Sequence, residues 1–77
     1  MFLEIITPDK KLFEGEVSSV TVPGLKGKFQ MLNRHAPVIS ALKKGKVKIK
    51  TSKGVEQFDV NGGVVEMQKN KIIVLAE

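Results

Sequence analysis

Cysteine, tryptophan and tyrosine are all absent from this sequence of 77 residues. Without cysteine the chain has neither a disulfide framework nor a thiolate metal site. No apolar run approaches the roughly 18 residues that a membrane-spanning helix requires. The amino-terminal segment has an acid at Glu4 and a turn signal at Pro8-Asp9, where a signal peptide would need basic residues and then a long apolar stretch. We therefore expect a small soluble domain.

Histidine occurs once, at His35, and the nearest upstream acid is Glu16. A zinc site would need two or three carboxylates gathered around this histidine. The serines have no nucleophile-elbow context, and no glycine-rich phosphate loop precedes a helix. We expect no catalytic residue, no metal and no cofactor. We interpret His35 as a turn residue whose ring nitrogen donates to a backbone carbonyl while its flank packs, and Pro37 as fixing the direction of the next strand.

Positive charge is concentrated in one segment of the chain. Six lysines lie within residues 43–53, and without them the net charge of +5 becomes −1. One interpretation is a solvated strand face that discourages edge-to-edge aggregation. The alternative is a small basic β-barrel that binds nucleic acid, but such modules stack bases on aromatic side chains, and residues 43–53 contain none. The composition favours the solvated face, and we expect no nucleic-acid partner.

Short segments rich in β-branched residues recur between turn signals, and no stretch keeps a helical period for three turns. The alternation over Lys46–Lys50 predicts that Val47 and Ile49 face inward and the lysines outward. The spacing predicts one all-β domain over residues 1–77, an antiparallel β-sandwich of about eight to ten short strands. The predicted strands cover residues 2–7, 12–14, 17–22, 28–32, 38–42, 46–50, 55–60, 64–67 and 72–75.

A third kind of protein deserves comparison, because small β-sandwich carrier domains are about this long. Asp9-Lys10 superficially matches the Asp-Lys pair at which such domains carry lipoate. In those domains, however, the modified lysine lies at a hairpin tip near mid-chain, whereas Lys10 is close to the amino terminus. We therefore interpret the match as chance.

Several segments of the chain form a recognisable pattern when they are taken together and in order. They cover residues 7–17, 20–24, 27, 35–37, 42, 45, 62–66 and 74–76. This pattern resembles the epsilon subunit of F-type ATP synthase. The resemblance implies a ten-stranded β-sandwich and a non-catalytic component of the central rotor. It implies binding to the gamma subunit and to the c-ring, which couples proton-driven rotation to ATP synthesis. It also implies a peripheral location at the cytoplasmic face of a bacterial inner membrane.

The resemblance also implies which residues meet each partner. On the c-ring side we expect four residues: Lys28, Phe29, Arg34 and His35. On the gamma side we expect two: Thr7 and Pro8.

Two segments, residues 27–30 and 33–34, depart from the family pattern. The family usually has Glu where this chain has Lys28, and Pro-Gly where this chain has Asn33-Arg34. Both changes make these segments more basic, so we expect a c-ring loop with extra acidic character.

Length is the remaining point of comparison. Most bacterial members of the family continue past a segment like Leu75-Ala76 into a two-helix carboxy-terminal domain that restrains ATP hydrolysis and in some members binds ATP. The present sequence stops at Glu77. We therefore expect the helical domain to be absent, with no nucleotide binding and no inhibitory arm.

Overall fold

The computed structural model describes all residues, Met1–Glu77, and consists of nine β-strands joined by turns and short loops. No helix with the length and apolar character needed to cross a bilayer is present. The strands are β1 (Phe2–Ile6), β2 (Lys11–Glu16), β3 (Ser19–Gly24), β4 (Gly27–Leu32), β5 (Val38–Leu42), β6 (Gly45–Thr51), β7 (Gly54–Val60), β8 (Gly63–Gln68) and β9 (Lys71–Ala76).

The strands form two groups that pack face to face as a sandwich. One group has the order β4-β3-β6-β7 and the other the order β2-β1-β9-β8-β5. A single residue pair, Gly24 with Leu42, connects them into one hydrogen-bonded sheet. The all-β sandwich predicted from the sequence is confirmed, with nine strands.

One pairing departs from the predicted antiparallel arrangement. Strand β1 pairs with β9 in parallel, so that Phe2 lies opposite Lys71 and Ile6 opposite Leu75. Seven strands separate the two along the chain. A parallel pair needs such a long connection, and the local signals of a sequence do not encode it.

The core comes from the inward residues of both groups. Sixteen apolar residues are buried, and no polar or charged residue is. The alternation predicted for β6 is confirmed, because Val47 and Ile49 are fully buried while the lysines between and beside them are exposed. Met31 and Met67 are also buried, where their flexible side chains fit irregular space. The result is a stiff body with two outer faces and two loop ends.

Two predicted strand ends were wrong. Strand β2 continues through Gly15, because that glycine pairs with Leu3 in the ladder to β1. Strand β3 continues through Pro23 and Gly24, and the turn is the two residues that follow. The carbonyl of Pro23 accepts a hydrogen bond from the N–H of Lys43, 2.9 Å away.

Candidate partner-binding surfaces

The outer face of β1, β9, β8 and β5 is largely apolar. The strand register aligns Ile6, Leu75, Val64 and Ala41 in one row across the four strands. Ile73 and Ile39 lie on the same face in the neighbouring row, where they alternate with glutamates. We call these six residues the apolar face: Ile6, Ile39, Ala41, Val64, Ile73 and Leu75.

The apolar face is accessible to a partner. Ile39 is 74% exposed, Leu75 54% and Val64 41%. Contiguous apolar surface of this kind marks a protein–protein contact more often than a solvated face. A sequence signal for it exists, because Ile72-Ile73-Val74-Leu75 is a continuous apolar run, and such runs are typical of strands covered on both faces. Sequence reasoning identified the strand and missed that its outer face is also apolar.

Charged side chains border the apolar face. The Nζ atom of Lys11 lies 2.8 Å from Glu14 and 3.2 Å from Glu4, and the Nζ atom of Lys71 lies 3.8 Å from Glu4. The hydrogen bond to Glu14, followed by the one to Glu4, raises the pKa of Lys11 above its ordinary value. An apolar centre with a polar rim is the usual anatomy of a protein interface.

The second surface is the loop between β4 and β5, residues 33–37, which we call the histidine loop. It begins with a turn in which the N–H of His35 donates to the carbonyl of Leu32, 3.0 Å away. Arg34, at the third position of this turn, has φ of +64°. A type II turn requires a positive φ there and favours glycine, often after proline. The Pro-Gly that is usual in the family would therefore suit this turn.

The ring of His35 is placed by its own loop. Its Nδ1 lies 2.8 Å from the carbonyl oxygen of Ala36, so Nδ1 carries the proton and donates. This confirms the predicted hydrogen bond from ring to backbone, but the ring is exposed instead of packed. No group of three His, Cys, Asp or Glu side chains is close enough to hold a metal ion.

Two asparagines fasten the histidine loop to the turn between β8 and β9. The side-chain amide of Asn70 donates to Oδ1 of Asn33 over 2.9 Å. The Oδ1 of Asn70 accepts the backbone N–H of Arg34 over 2.8 Å. The amino group of Met1 adds a hydrogen bond to the same Oδ1 of Asn33 over 3.3 Å. These bonds hold the loop in one conformation relative to the sandwich.

The four residues expected on the c-ring side do not come together. Lys28 and Phe29 lie at the start of β4, whereas Arg34 and His35 follow its end, a separation of roughly 17–20 Å for a strand of this length. Phe29 is half-buried and packs against the core, so its ring serves the fold. The resemblance placed these four residues on one side, but the extended strand β4 separates Lys28 from Arg34 and puts them at opposite ends of the sandwich.

The two residues expected on the gamma side lie in the turn between β1 and β2, at the same end of the sandwich as Lys28. The N–H of Thr7 donates to the carbonyl of Lys10 over 2.8 Å, and the N–H of Lys10 donates to Oγ1 of Thr7 over 3.1 Å. These bonds close a tight turn that exposes Pro8. Thr7 directly follows Ile6, so this turn adjoins one edge of the apolar face.

The lysines of β6 form a third surface, on the opposite outer face. The Nζ of Lys46 forms an ion pair of 2.7 Å with Asp59 on β7. The neighbours of Lys48 across the strands are Gln57 and Thr21. The cross-strand neighbours of Lys50 are Ser19 and Val55, so no aromatic ring lies beside either lysine. Nucleic-acid modules rely on aromatic rings for stacking, so this face favours the solvated interpretation, which stays a prediction.

Comparison with known proteins gives a consistent result. The sequence model of the family described as "ATP synthase, Delta/Epsilon chain, beta-sandwich domain" matches residues 1–77. The ATP synthase epsilon chain of Chlorobium limicola is 49% identical over 76 residues, which are 97% of this chain and 86% of the relative. That of Sulfurimonas denitrificans is 45% identical over 76 residues, again 97% of this chain but 58% of the relative.

Solved structures share the fold. A chain in the Euglena gracilis mitochondrial ATP synthase structure that contains OSCP, F1 and the c-ring superposes with a TM-score of 0.88 at 18% identity, covering 96% of this chain and 48% of that one. A chain in the Tetrahymena thermophila central stalk and c-ring structure superposes with a TM-score of 0.79 at 20% identity, covering 97% of this chain and 61% of that one. At these identities the similarity concerns the fold alone.

Proposed function

Because the chain belongs to the family of ATP synthase delta/epsilon chains, we propose that it is the epsilon-type subunit of the central rotor, which binds the gamma subunit and the c-ring and couples their rotation. It is a non-catalytic chain of the complex. A stiff sandwich suits this task, because torque passes between two partners only through a body that does not deform.

The observation that carries the proposal is the apolar face. The side chains of Ile39, Val64 and Leu75 are exposed to water in the isolated chain, and a bound partner would bury them. Fully burying one side chain of this size stabilises a complex by about 1.5–3 kcal/mol before the costs of association. We assign this face to the gamma subunit, with Thr7 and Pro8 at its edge, because a permanent partner within a rotor is expected to present a complementary apolar surface.

The c-ring contact belongs at one end of the sandwich. The end that carries Lys28 is the richer in lysine, because the turns there add Lys10, Lys26, Lys43 and Lys44, with Asp9 and Glu77 as the acids at the same end. The rim of a c-ring is bordered by lipid headgroups, and positive residues are attracted to an anionic surface. We therefore propose that Lys28 lies on the ring side, at the cytoplasmic face of a bacterial membrane. Arg34 and His35, which the resemblance also assigns to the c-ring side, lie at the opposite end, so we propose that they meet gamma or a chain of the head instead.

The expectations of a single domain and of no nucleotide or nucleic-acid ligand are part of the same proposal. The domain over residues 1–77 acts as one rigid unit, and neither nucleotide nor nucleic acid is required for its task.

Size-exclusion chromatography of this chain mixed with the gamma subunit of the same organism tests the proposal. Co-elution as a one-to-one complex is the expected result. Separate elution, with gamma shown to be folded by circular dichroism, would contradict the assignment of the apolar face to gamma.

A further inference from the structure

Three residues other than glycine have a positive φ, and all three lie at one end of the sandwich. They are Arg34 (+64°), Lys69 (+53°) and Asn70 (+63°). They belong to two turns. A hydrogen bond of 2.8 Å from the N–H of Arg34 to Oδ1 of Asn70 joins these turns. Asparagine tolerates this conformation, but arginine and lysine have no special preference for it.

The left-handed conformation is unfavourable for Arg34 and Lys69. It costs a residue with a Cβ atom of the order of 1 kcal/mol, and glycine would adopt it without that cost. Such conformations persist where surrounding contacts enforce them, and they concentrate at functional sites. Here the two-residue turn between β8 and β9 requires a positive φ at both of its residues, and the turn that begins at Leu32 requires one at Arg34. The hydrogen bond between Arg34 and Asn70 therefore holds the backbones of these two basic residues side by side at one end of the sandwich.

The charges of Arg34 and Lys69 are not neutralised within the chain. Both residues are exposed, and neither forms an ion pair. Glu66 lines the same shallow depression as Lys69 without pairing with it. Glu16, at the same end, lies 3.3 Å from the amino group of Met1. The guanidinium of Arg34 keeps all of its donors for a ligand.

We propose that Arg34 and Lys69 form a two-point basic site for a carboxylate of an acidic segment in the protein partner. This rests on the proposed function, in which this end meets a protein chain. The planar guanidinium matches a carboxylate through two parallel hydrogen bonds, and the lysine adds a second positive charge. A protein ligand fits better than lipid, because lipid headgroups require charge density but no fixed geometry, and the opposite end is the denser in lysine.

The test uses the whole chain and an ATP synthase complex that contains gamma but has been stripped of this chain. The variant Arg34→Asn removes the charge and places at position 34 a residue that tolerates positive φ. Its melting temperature is expected to equal or exceed that of the wild type, while its affinity for the stripped complex falls at least about tenfold. If Arg34 had a purely structural role, its substitution would lower the melting temperature as well as the affinity.

Two further variants complete the design. Lys53→Asn removes an exposed lysine from another turn at the same end and is expected to bind within about twofold of the wild type. Lys69→Asn is expected to weaken binding and to reduce its dependence on salt. Equal effects of Arg34→Asn and Lys53→Asn, or wild-type affinity of Arg34→Asn, would overturn the proposal.

Two other results would also overturn it. If the wild type binds vesicles that contain anionic phospholipid and Arg34→Asn does not, the site binds lipid and not a protein partner. If the wild type fails to bind the stripped complex, both the proposed function and this site are overturned. If the wild type binds and every variant binds with the same affinity, only the site is overturned.

Discussion

Phe13 on β2 and Phe58 on β7 meet with their ring centroids 6.0 Å apart and their planes tilted by 57°. These two strands end the hydrogen-bonded order of the sheet and do not pair with each other. Side-chain packing therefore closes this side of the sandwich where backbone hydrogen bonds do not. Both rings are half-buried and pack against the core.

Removing one ring should weaken the fold. For Phe58→Ala we expect the free energy of unfolding to fall by about 1–3 kcal/mol, below the usual range for a fully buried phenylalanine because this ring is only half-buried. Phe58→Leu keeps most of the apolar volume and should cost less than half as much. Urea denaturation measures both values. Equal stability of Phe58→Ala and the wild type would show that the contact between the two rings contributes nothing.

Two glycines with the same φ allow the cost of backbone strain to be distinguished from the cost of a steric clash. Gly63 and Gly27 both have φ of +137°. A Cβ atom on Gly63 would clash with the carbonyl oxygen of Leu75, whereas one on Gly27 would meet nothing within 4 Å. We expect Gly27→Ala to lower the free energy of unfolding by about 1–2 kcal/mol from backbone strain alone. Gly63→Ala should cost clearly more, and equal losses in thermal denaturation would contradict the predicted clash.

The charge cluster around Lys11 predicts a dependence on high pH. Hydrogen bonds to Glu14 and then Glu4 raise the pKa of Lys11 in the folded state. A raised pKa stabilises the fold fully at pH values below the unfolded pKa, about 10.5, and this contribution disappears as the pH rises through the folded pKa. The urea midpoint of the wild type should therefore fall as the pH rises above about 10.5.

The variant Glu14→Gln removes the larger of these hydrogen bonds and should make that fall shallower. Glu56→Gln is the matched control, because Glu56 is an exposed acid without an ion pair. It should leave the pH dependence as steep as in the wild type. A fall of the same steepness in Glu14→Gln would show that Lys11 does not cause it.

Local patterns in the sequence predicted much of this fold. The alternation over Lys46–Lys50 placed Val47 and Ile49 correctly in the core, because a period of two requires a half-buried strand. The gap between the predicted strands over residues 64–67 and 72–75 contains the turn Lys69-Asn70, where both residues have a positive φ.

The remaining features depend on contacts between distant parts of the chain. The parallel pairing of β1 with β9 brings the first and last strands together, and nothing near either strand encodes it. The apolar face arises because Ile6, Leu75 and Val64 align across strands, which only the register reveals. The separation of Lys28 from Arg34 follows from β4 being extended between them, whereas the resemblance placed both residues on the c-ring side.

Binding of the gamma subunit to two variants with matched exposure tests the central claim most directly. Leu75 lies on the apolar face and Val55 on the opposite face, and both are 54% exposed. Isothermal titration calorimetry should show that Leu75→Gln weakens binding at least about tenfold, because a polar group replaces buried apolar surface. Val55→Gln should bind within about twofold of the wild type. Equal affinities of the two variants would contradict the assignment of the apolar face to gamma.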